Sequence, residues 1–254
     1  MKRIEELYSL EGRVVIVTGA SSGLGLNQAI MLAECGAKVF ALSRSGQIKV
    51  KTEKEIPTNI IFKKLDVANE TEIKAVFDEI GKNHGIDILV NNAGITKRVK
   101  AEDITSEEWE AIHKVNVSGV FTCCKYAFPY LKQSQYIGRI INISSMASYL
   151  GFSEVTPYCS SKSAVLGITR GLAVEWCHDN ILVNSVSPGW FPSQMSQQVM
   201  DEDRKAKILN RMPLHRFGHP DELSPMICFL ASPAGSYITG QDFSVDGGAL
   251  AFGF

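Results

Sequence analysis

Residues Arg13-Val14-Val15-Ile16-Val17-Thr18 form an unbroken β-branched run, and Gly19-Ala20-Ser21-Ser22-Gly23-Leu24-Gly25 follows at once. A run without polar alternation suits a strand buried on both faces, the situation of a parallel sheet covered by helices on each side. Leu26 to Cys35 then reads as a helix closed by Gly36. Strand, glycine turn and helix in this order constrain the chain more than any other stretch, because a parallel partner strand must follow through a crossover. The same order aims backbone N–H groups and the positive end of a helix at any pyrophosphate lying over the turn. Glycine lets the backbone come that close. The spacing Gly19, Gly23, Gly25 departs from GxGxxG, and an ordinary turn between strand and helix would carry the same residues.

Further strands are expected at Lys38–Ser43, Ile60–Val67, Ile86–Asn91, Arg139–Ser144, Ile181–Ser187 and Asp242–Val245. Helices are expected at Glu70–Lys82, from the N-cap Thr105 with Glu108 as its capping-box partner, at Thr156–Val174 and at Asp221–Leu230. The alternation predicts an α/β fold with a parallel sheet between two helical layers. With no repeat, low-complexity tract or linker, residues 1–254 read as one domain, which 254 residues at 45% hydrophobic content can fill. Trp190 to Arg211, rich in Gln, Met and Ser, shows no strand pattern and reads as a substrate lid over about residues 190–215. The polar stretch Gly46 to Asn59 carries no informative motif.

A formal net charge of −1 excludes the basic stripe that nucleic acid requires. No stretch approaches eighteen apolar residues, and Met1 to Leu7 is too acidic and too polar for a signal peptide, so neither a membrane nor an export route is expected and the chain reads as cytoplasmic. The six cysteines include no CxxC pair and the five histidines share no spacing, so no metal site is expected.

Chemistry concentrates in Ser145-(12)-Tyr158-Cys159-Ser160-Ser161-Lys162. On a helix Tyr158 and Lys162 share a face. A free tyrosine titrates near pKa ~10, and a lysine cation one turn away is expected to favour the phenolate and make proton exchange possible near neutrality. Ser145, at the end of an apolar run, would hold a carbonyl or alcohol oxygen. Asn116 lies within Val115-Asn116-Val117-Ser118-Gly119, where a polar side chain in an apolar helix needs a partner. At the end of the second strand an acidic residue would accept both ribose hydroxyls of NAD; Ser43 and Arg44 stand there instead, and an arginine suits the 2′-phosphate of NADP, so NADP is favoured with NAD still open. Asn92-Ala93-Gly94, after the fourth strand, is small enough for a ring to lie on the backbone.

Taken together, Thr18-Gly19-(3)-Gly23-Leu24-Gly25, Asp66-Val67, Asn91-Asn92-Ala93-Gly94, Asn116, Ser145, Tyr158-(3)-Lys162, Pro188-Gly189 and Asp246-Gly247-Gly248 resemble the short-chain dehydrogenase/reductase family across nearly the whole chain. The resemblance implies a Rossmann-like, doubly wound sheet of seven strands and hydride transfer between a nicotinamide and an alcohol or ketone. It implies Tyr158 as general acid/base, Lys162 as the residue that lowers its pKa and holds the nicotinamide ribose, Ser145 on the substrate oxygen, and Asn116 on a water behind the lysine. Ser21, Ser22 and the glycine turn would hold the phosphates. Asp66 and Val67 would flank the adenine, Asn92, Ala93 and Gly94 the cofactor ribose, and Pro188, Gly189, Phe191 and Ser193 the carboxamide end. The family's usual threonine after Pro-Gly is here Ser193, and the basic residue that many NADP-using members carry in the glycine turn is Ser22.

Asn92 to Arg98, Ile143 to Ser148 and Arg211 to Gly218 further resemble the gluconate 5-dehydrogenase and 2-deoxy-gluconate 3-dehydrogenase group. Arg98 is then the expected partner of a sugar-acid carboxylate, with Ser145, Met146, Tyr158 and Trp190 facing the substrate. A 3-oxoacyl-thioester reductase and a nucleotide-sensing protein without turnover are the alternatives. Members of the family are commonly tetramers built through helices corresponding to residues 105–133 and 155–178.

Overall fold

In the computed structural model, which describes residues 2–49, 54–192 and 201–252, seven strands form one parallel sheet in the order β3-β2-β1-β4-β5-β6-β7. The strands are β1 (Val14–Thr18), β2 (Lys38–Ser43), β3 (Ile60–Lys64), β4 (Ile88–Asn91), β5 (Gly138–Ile143), β6 (Ile181–Pro188) and β7 (Asp242–Val245). The helices are α1 (Lys2–Tyr8), α2 (Gly23–Glu34), α3 (Glu70–His84), α4 (Ser106–His113), α5 (Gly119–Leu131), α6 (Thr156–Trp176), α7 (Glu202–Arg211) and α8 (Pro220–Ala231). The seven expected strands are all present, and the fold is a doubly wound, Rossmann-like single domain.

The β-branched run of β1 explains the two layers. Val15 and Val17 point into one core with Ala29 and Ile30 of α2 and Ile227 of α8, while Val14 and Ile16 point into the other with Phe77 of α3, Cys123 of α5 and Val165 of α6. Both faces of the strand are therefore dry, and each fully buried valine contributes about 1.5–3 kcal/mol. The chain leaves β1 toward β2 and β3, and returns to the other side of β1 at β4. At this reversal the carboxyl ends of β1 and β4 diverge and open a crevice.

Two helical features differ from the sequence expectation. The helix that begins at the Thr105 capping box, where Thr105 Oγ1 accepts from Glu108 N at 3.2 Å, does not run through to Leu131 as one α-helix. Lys114–Ser118 form a π turn, closed by Gly119 N–H on Lys114 O, because Asn116 is drawn out of register by partners outside the helix. The stretch 190–215, read as a lid with no strand pattern and given no helix, contains α7, whose signal is the acidic first turn Glu202–Asp203 and basic last residue Arg211. Residues 193–200 of that stretch, Ser193 among them, lie outside the described residues. The short α1 was also not anticipated.

Candidate active site

Thr18, the last residue of β1, ties the two crevice walls together. Its Oγ1 accepts from the backbone N–H groups of Asn92 and Ala93, each at 3.1 Å, and Asn92 Nδ2 returns bonds to the carbonyls of Thr18 and Gly19 at 3.0 and 3.2 Å. This clamp leaves no room for side chains in the glycine turn. A Cβ on Gly19, where φ is +68°, would lie 2.8 Å from the Ala93 Cα, and one on Gly25 would overlap the Gly19 carbonyl and the Asn92 amide. Helix α2 starts at Gly23, and the Ser22 side chain makes no capping bond to it, so the first-turn N–H groups face the cleft. The residues present fit a dinucleotide: a flat glycine floor, a helix start for the pyrophosphate, and a cleft of about 740 Å³ that continues to the carboxyl end of β5.

At that end Ser145 caps a 3₁₀ turn (Met146–Ser148), its Oγ accepting from Ala147 N at 3.1 Å, and it faces the Tyr158 phenol. Tyr158 and Lys162 lie one turn apart on α6. Lys162 is buried and its Nζ donates to the Ile143 carbonyl at 2.7 Å, while Ser144 Oγ donates to the Lys162 carbonyl at 3.1 Å. Helix α6 is thus pinned to the end of β5 by two bonds in opposite directions. Asn116 is fully buried; its Oδ1 accepts from Ile95 N at 2.8 Å, and its Nδ2 donates to Ile95 O at 2.9 Å and to Ser161 Oγ at 3.0 Å. A Cβ on Gly94 would stand 3.4 Å from Asn116 Oδ1 and 3.6 Å from Lys162 Nζ, so the glycine keeps the wall between them open.

Burial dominates the electrostatics of this pair. Burial raises the Tyr158 phenol above its ordinary range, with the contact to Ser145 pulling the other way. Lys162 Nζ stands 5.8 Å from the centre of the Tyr158 ring and gives its hydrogen bond to a carbonyl. The lysine itself is pushed down to about 8 by desolvation. In this arrangement the cost of burying charge outweighs attraction between the two groups. The phenol is therefore a proton donor at neutral pH.

The sequence-assigned residues converge on this one cleft, with three exceptions. Asn116 sits behind its wall, Ser193 is outside the described residues, and Arg98 stands on the rim with its guanidinium engaged by Glu154 at 2.6 Å and Asp201 at 2.7 Å. Arg98 does not line the cleft as a sugar-acid reader was expected to; it is an exposed cation and pairs with the carboxylates nearest to it. Among the lining residues that the sequence reading did not single out are Lys49, Phe152 and Val155. Lys49 reaches the adenosine end because its N–H donates to Ser21 O at 2.9 Å, folding the uninformative loop over the glycine turn. Phe152 and Val155 line the opposite end, where Phe152 meets Trp190 edge-on at 5.8 Å. No local signal marks these positions, since they come from loops whose path the sheet sets. Among the described residues, no cluster of His, Cys, Asp or Glu could hold a metal ion, and no helix is long and apolar enough to cross a membrane.

A tyrosine, a lysine and a serine at the carboxyl end of a doubly wound sheet, facing a glycine-floored cleft, define an oxidoreductase that works with a nicotinamide dinucleotide. Comparison with known proteins agrees. A family model described as enoyl-(acyl carrier protein) reductase matches residues 19–249. The chain is 38% identical over 245 residues to the 3-oxoacyl-[acyl-carrier-protein] reductase FabG of Thermotoga maritima, covering 95% of this chain and 99% of that one. It is 39% identical over 253 residues to the 2-dehydro-3-deoxy-D-gluconate 5-dehydrogenase of Dickeya dadantii, covering 96% and 98%. The crystal structure of a gluconate 5-dehydrogenase from Burkholderia cenocepacia in complex with NADP and tartrate superposes with a TM-score of 0.89 at 32% identity, covering 98% and 99%. The chain belongs to the short-chain dehydrogenase/reductase family, and it is an enzyme acting on CH–OH groups or the corresponding ketones.

Proposed function

We propose that the chain interconverts a secondary hydroxyl and a ketone on a sugar acid, with NADP(H) favoured as the cofactor. The observation that carries this reading is the Tyr158 phenol beside Ser145 at the inner end of the cleft, one helical turn from the buried Lys162. Ser145 orients the substrate oxygen, Tyr158 gives it a proton in reduction or takes one in oxidation, and Lys162 binds the cofactor ribose. Asn116 keeps the wall behind the lysine in place and holds the water expected there. When bound, the nicotinamide supplies or accepts the hydride. Glycines 19, 23 and 25, Ser21, Ser22 and Leu24 hold its pyrophosphate; Asp66 and Val67 flank the adenine, and Asn92, Ala93 and Gly94 lie along the ribose. Pro188, Gly189 and Phe191 border the carboxamide, while Met146 and Trp190 face the substrate. Residues 190–215 act as the lid.

NADP is supported by two cations at the adenosine end, Arg44 and Lys49, and by the NADP in the Burkholderia relative. Arg44→Asp is expected to move the ratio of kcat/KM for NADP over NAD at least tenfold toward NAD, measured on one substrate; an unchanged ratio removes Arg44 from phosphate recognition. The sugar acid is supported by the gluconate-type relatives and by Arg98 on the rim. Arg98→Ala is expected to raise the KM for a sugar acid about tenfold and for a neutral ketone by less than twofold. Equal changes would remove Arg98 from substrate binding.

A 3-oxoacyl-thioester reductase is the second reading, favoured by the apolar wall of Met146, Phe152, Val155 and Trp190 and by the FabG relative. Initial rates on gluconate, 2-deoxy-gluconate, 5-ketogluconate, neutral polyols and an acetoacetyl thioester, each with both cofactors, separate the two. Turnover confined to the thioester would replace the sugar-acid reading. A homotetramer is supported by the apolar side chains that α4, α5 and α6 leave exposed, Trp109, Phe121 and Val174, and light scattering is expected to give four times the chain mass. A cytoplasmic location is supported by six unbonded thiols, the pattern of a reducing compartment.

A further inference from the structure

Two aromatic rings meet across the substrate end of the cleft. Phe152, in the loop between the 3₁₀ turn and α6, and Trp190, directly after β6, both line the cleft, and their ring centres stand 5.8 Å apart at 81°. An edge-on contact at that separation lies within the favoured range of about 4.5–7 Å for aromatic pairs. Both rings are carried on fixed backbone. Before Phe152, the N–H groups of Tyr149 and Leu150 donate to the Met146 carbonyl at 3.1 and 3.0 Å; after it, the Glu154 carbonyl accepts from Val99 N–H at 2.8 Å. On the other side, Gly189 N–H donates to Val245 O and Gly218 N–H to Trp190 O, each at 2.9 Å. A Cβ on Gly189 would lie 2.6 Å from the Asp246 Cα, so this segment sits hard against the residue that follows β7. Met146 and Val155, both buried, extend the apolar wall on either side of the pair.

We infer that the Phe152–Trp190 pair is the stop of the substrate end and fixes how far a chain can extend beyond the reacting carbon. The inference rests on the reading of Ser145 and Tyr158 as the reacting pair, and it applies to a sugar acid and to a short thioester alike. Tyr158 follows Phe152 by six residues and Trp190 follows Pro188–Gly189, so the rings and the phenol share one end of the cleft. The cleft of about 740 Å³ must hold a dinucleotide as well as the substrate, and pockets of about 300–1,000 Å³ are commonly filled by a single ligand. Little length therefore remains past the nicotinamide. Two rings in contact leave no gap through which a methylene chain can thread, and displacing either one breaks an aromatic contact and disturbs a packed backbone. A chain that ends at the rings gains their apolar surface. A longer one must fold back or push them apart.

The test measures competitive inhibition by straight-chain methyl ketones of four to ten carbons, using the full-length enzyme with NADPH and whichever of 5-ketogluconate or an acetoacetyl thioester it reduces. In the unmodified enzyme each added methylene is expected to tighten binding about fourfold until the chain reaches the rings, after which the gain stops within the series. Phe152→Ala is expected to leave the shortest ketone within about twofold and to bind the longest at least about tenfold more tightly than the parent does. Phe152→Leu, which keeps part of the apolar volume, should fall between the two, and if the alanine variant loses its fold the leucine variant and the parental series decide. Affinity that climbs through the whole series in the unmodified enzyme, the same proportional change at every length in the variants, or no dependence on length in any form overturns the inference while the reaction assignment stands. Failure of the unmodified enzyme to reduce either carbonyl substrate overturns both.

Discussion

Tyr158→Phe yields an enzyme that binds its cofactor normally and has lost nearly all turnover. The phenol lies between Ser145 and the buried Lys162, and desolvation raises it further above its ordinary range. Removing its oxygen deletes the proton donor and leaves the glycine turn that would hold the cofactor unaltered. Loss of a general acid/base costs about 10²- to 10⁴-fold in kcat. The dissociation constant for the cofactor, followed by fluorescence titration, is expected to stay within about twofold. The raised phenol also sets the sign of the pH dependence. Reduction needs the protonated form and should hold its rate across neutral pH, whereas oxidation needs the phenolate and should accelerate as pH rises. Residual activity above about one tenth would remove Tyr158 from proton transfer.

Lys162→Met is expected to lose activity and gain stability at neutral pH. The ammonium is buried and donates to the Ile143 carbonyl, and desolvation brings its folded-state value to about 8 against an ordinary value of 10.5. Below pH 8 the lysine is charged in both the folded and the unfolded chain, and the folded state bears the full cost of the buried cation. Between 8 and 10.5 the unfolded chain binds more protons, so stability rises with pH as that cost is removed. Methionine fills similar space without charge. The variant should therefore melt higher than the parent at pH 7, with the difference shrinking steadily toward pH 10. A melting temperature lower at every pH would show that the carbonyl bond outweighs the desolvation. The stability cost of Lys162 fits a residue kept for what it does to a bound ribose and to the phenol, a trade seen where function requires a destabilised group.

The capping box at Thr105 and the Tyr158–Lys162 turn were legible because both are written in residues three or four apart on one helix. The π turn was not, although its cause was visible as an asparagine in an apolar run: the partners of Asn116 are Ile95, 21 residues earlier, and Ser161, 45 residues later. Arg98 was singled out as the reader of a substrate carboxylate, and the anions it pairs with, Glu154 and Asp201, lie 56 and 103 residues away. Lys49 was passed over inside a loop whose composition carries no pattern, and one backbone bond to Ser21 brings it to the adenosine end.

By itself, the sequence determined the parallel sheet, the glycine-floored turn and the helix that pairs Tyr158 with Lys162, because hydrophobic periodicity, backbone permissiveness and side-chain spacing act over a few residues. The tertiary structure alone decided how burial shifts Tyr158 and Lys162, the partners of Arg98 and the second cation at the adenosine end. Those properties depend on how much water the fold removes from each group and on which distant charges it leaves in reach, and desolvation and Coulomb interaction are set by distance through space rather than along the chain.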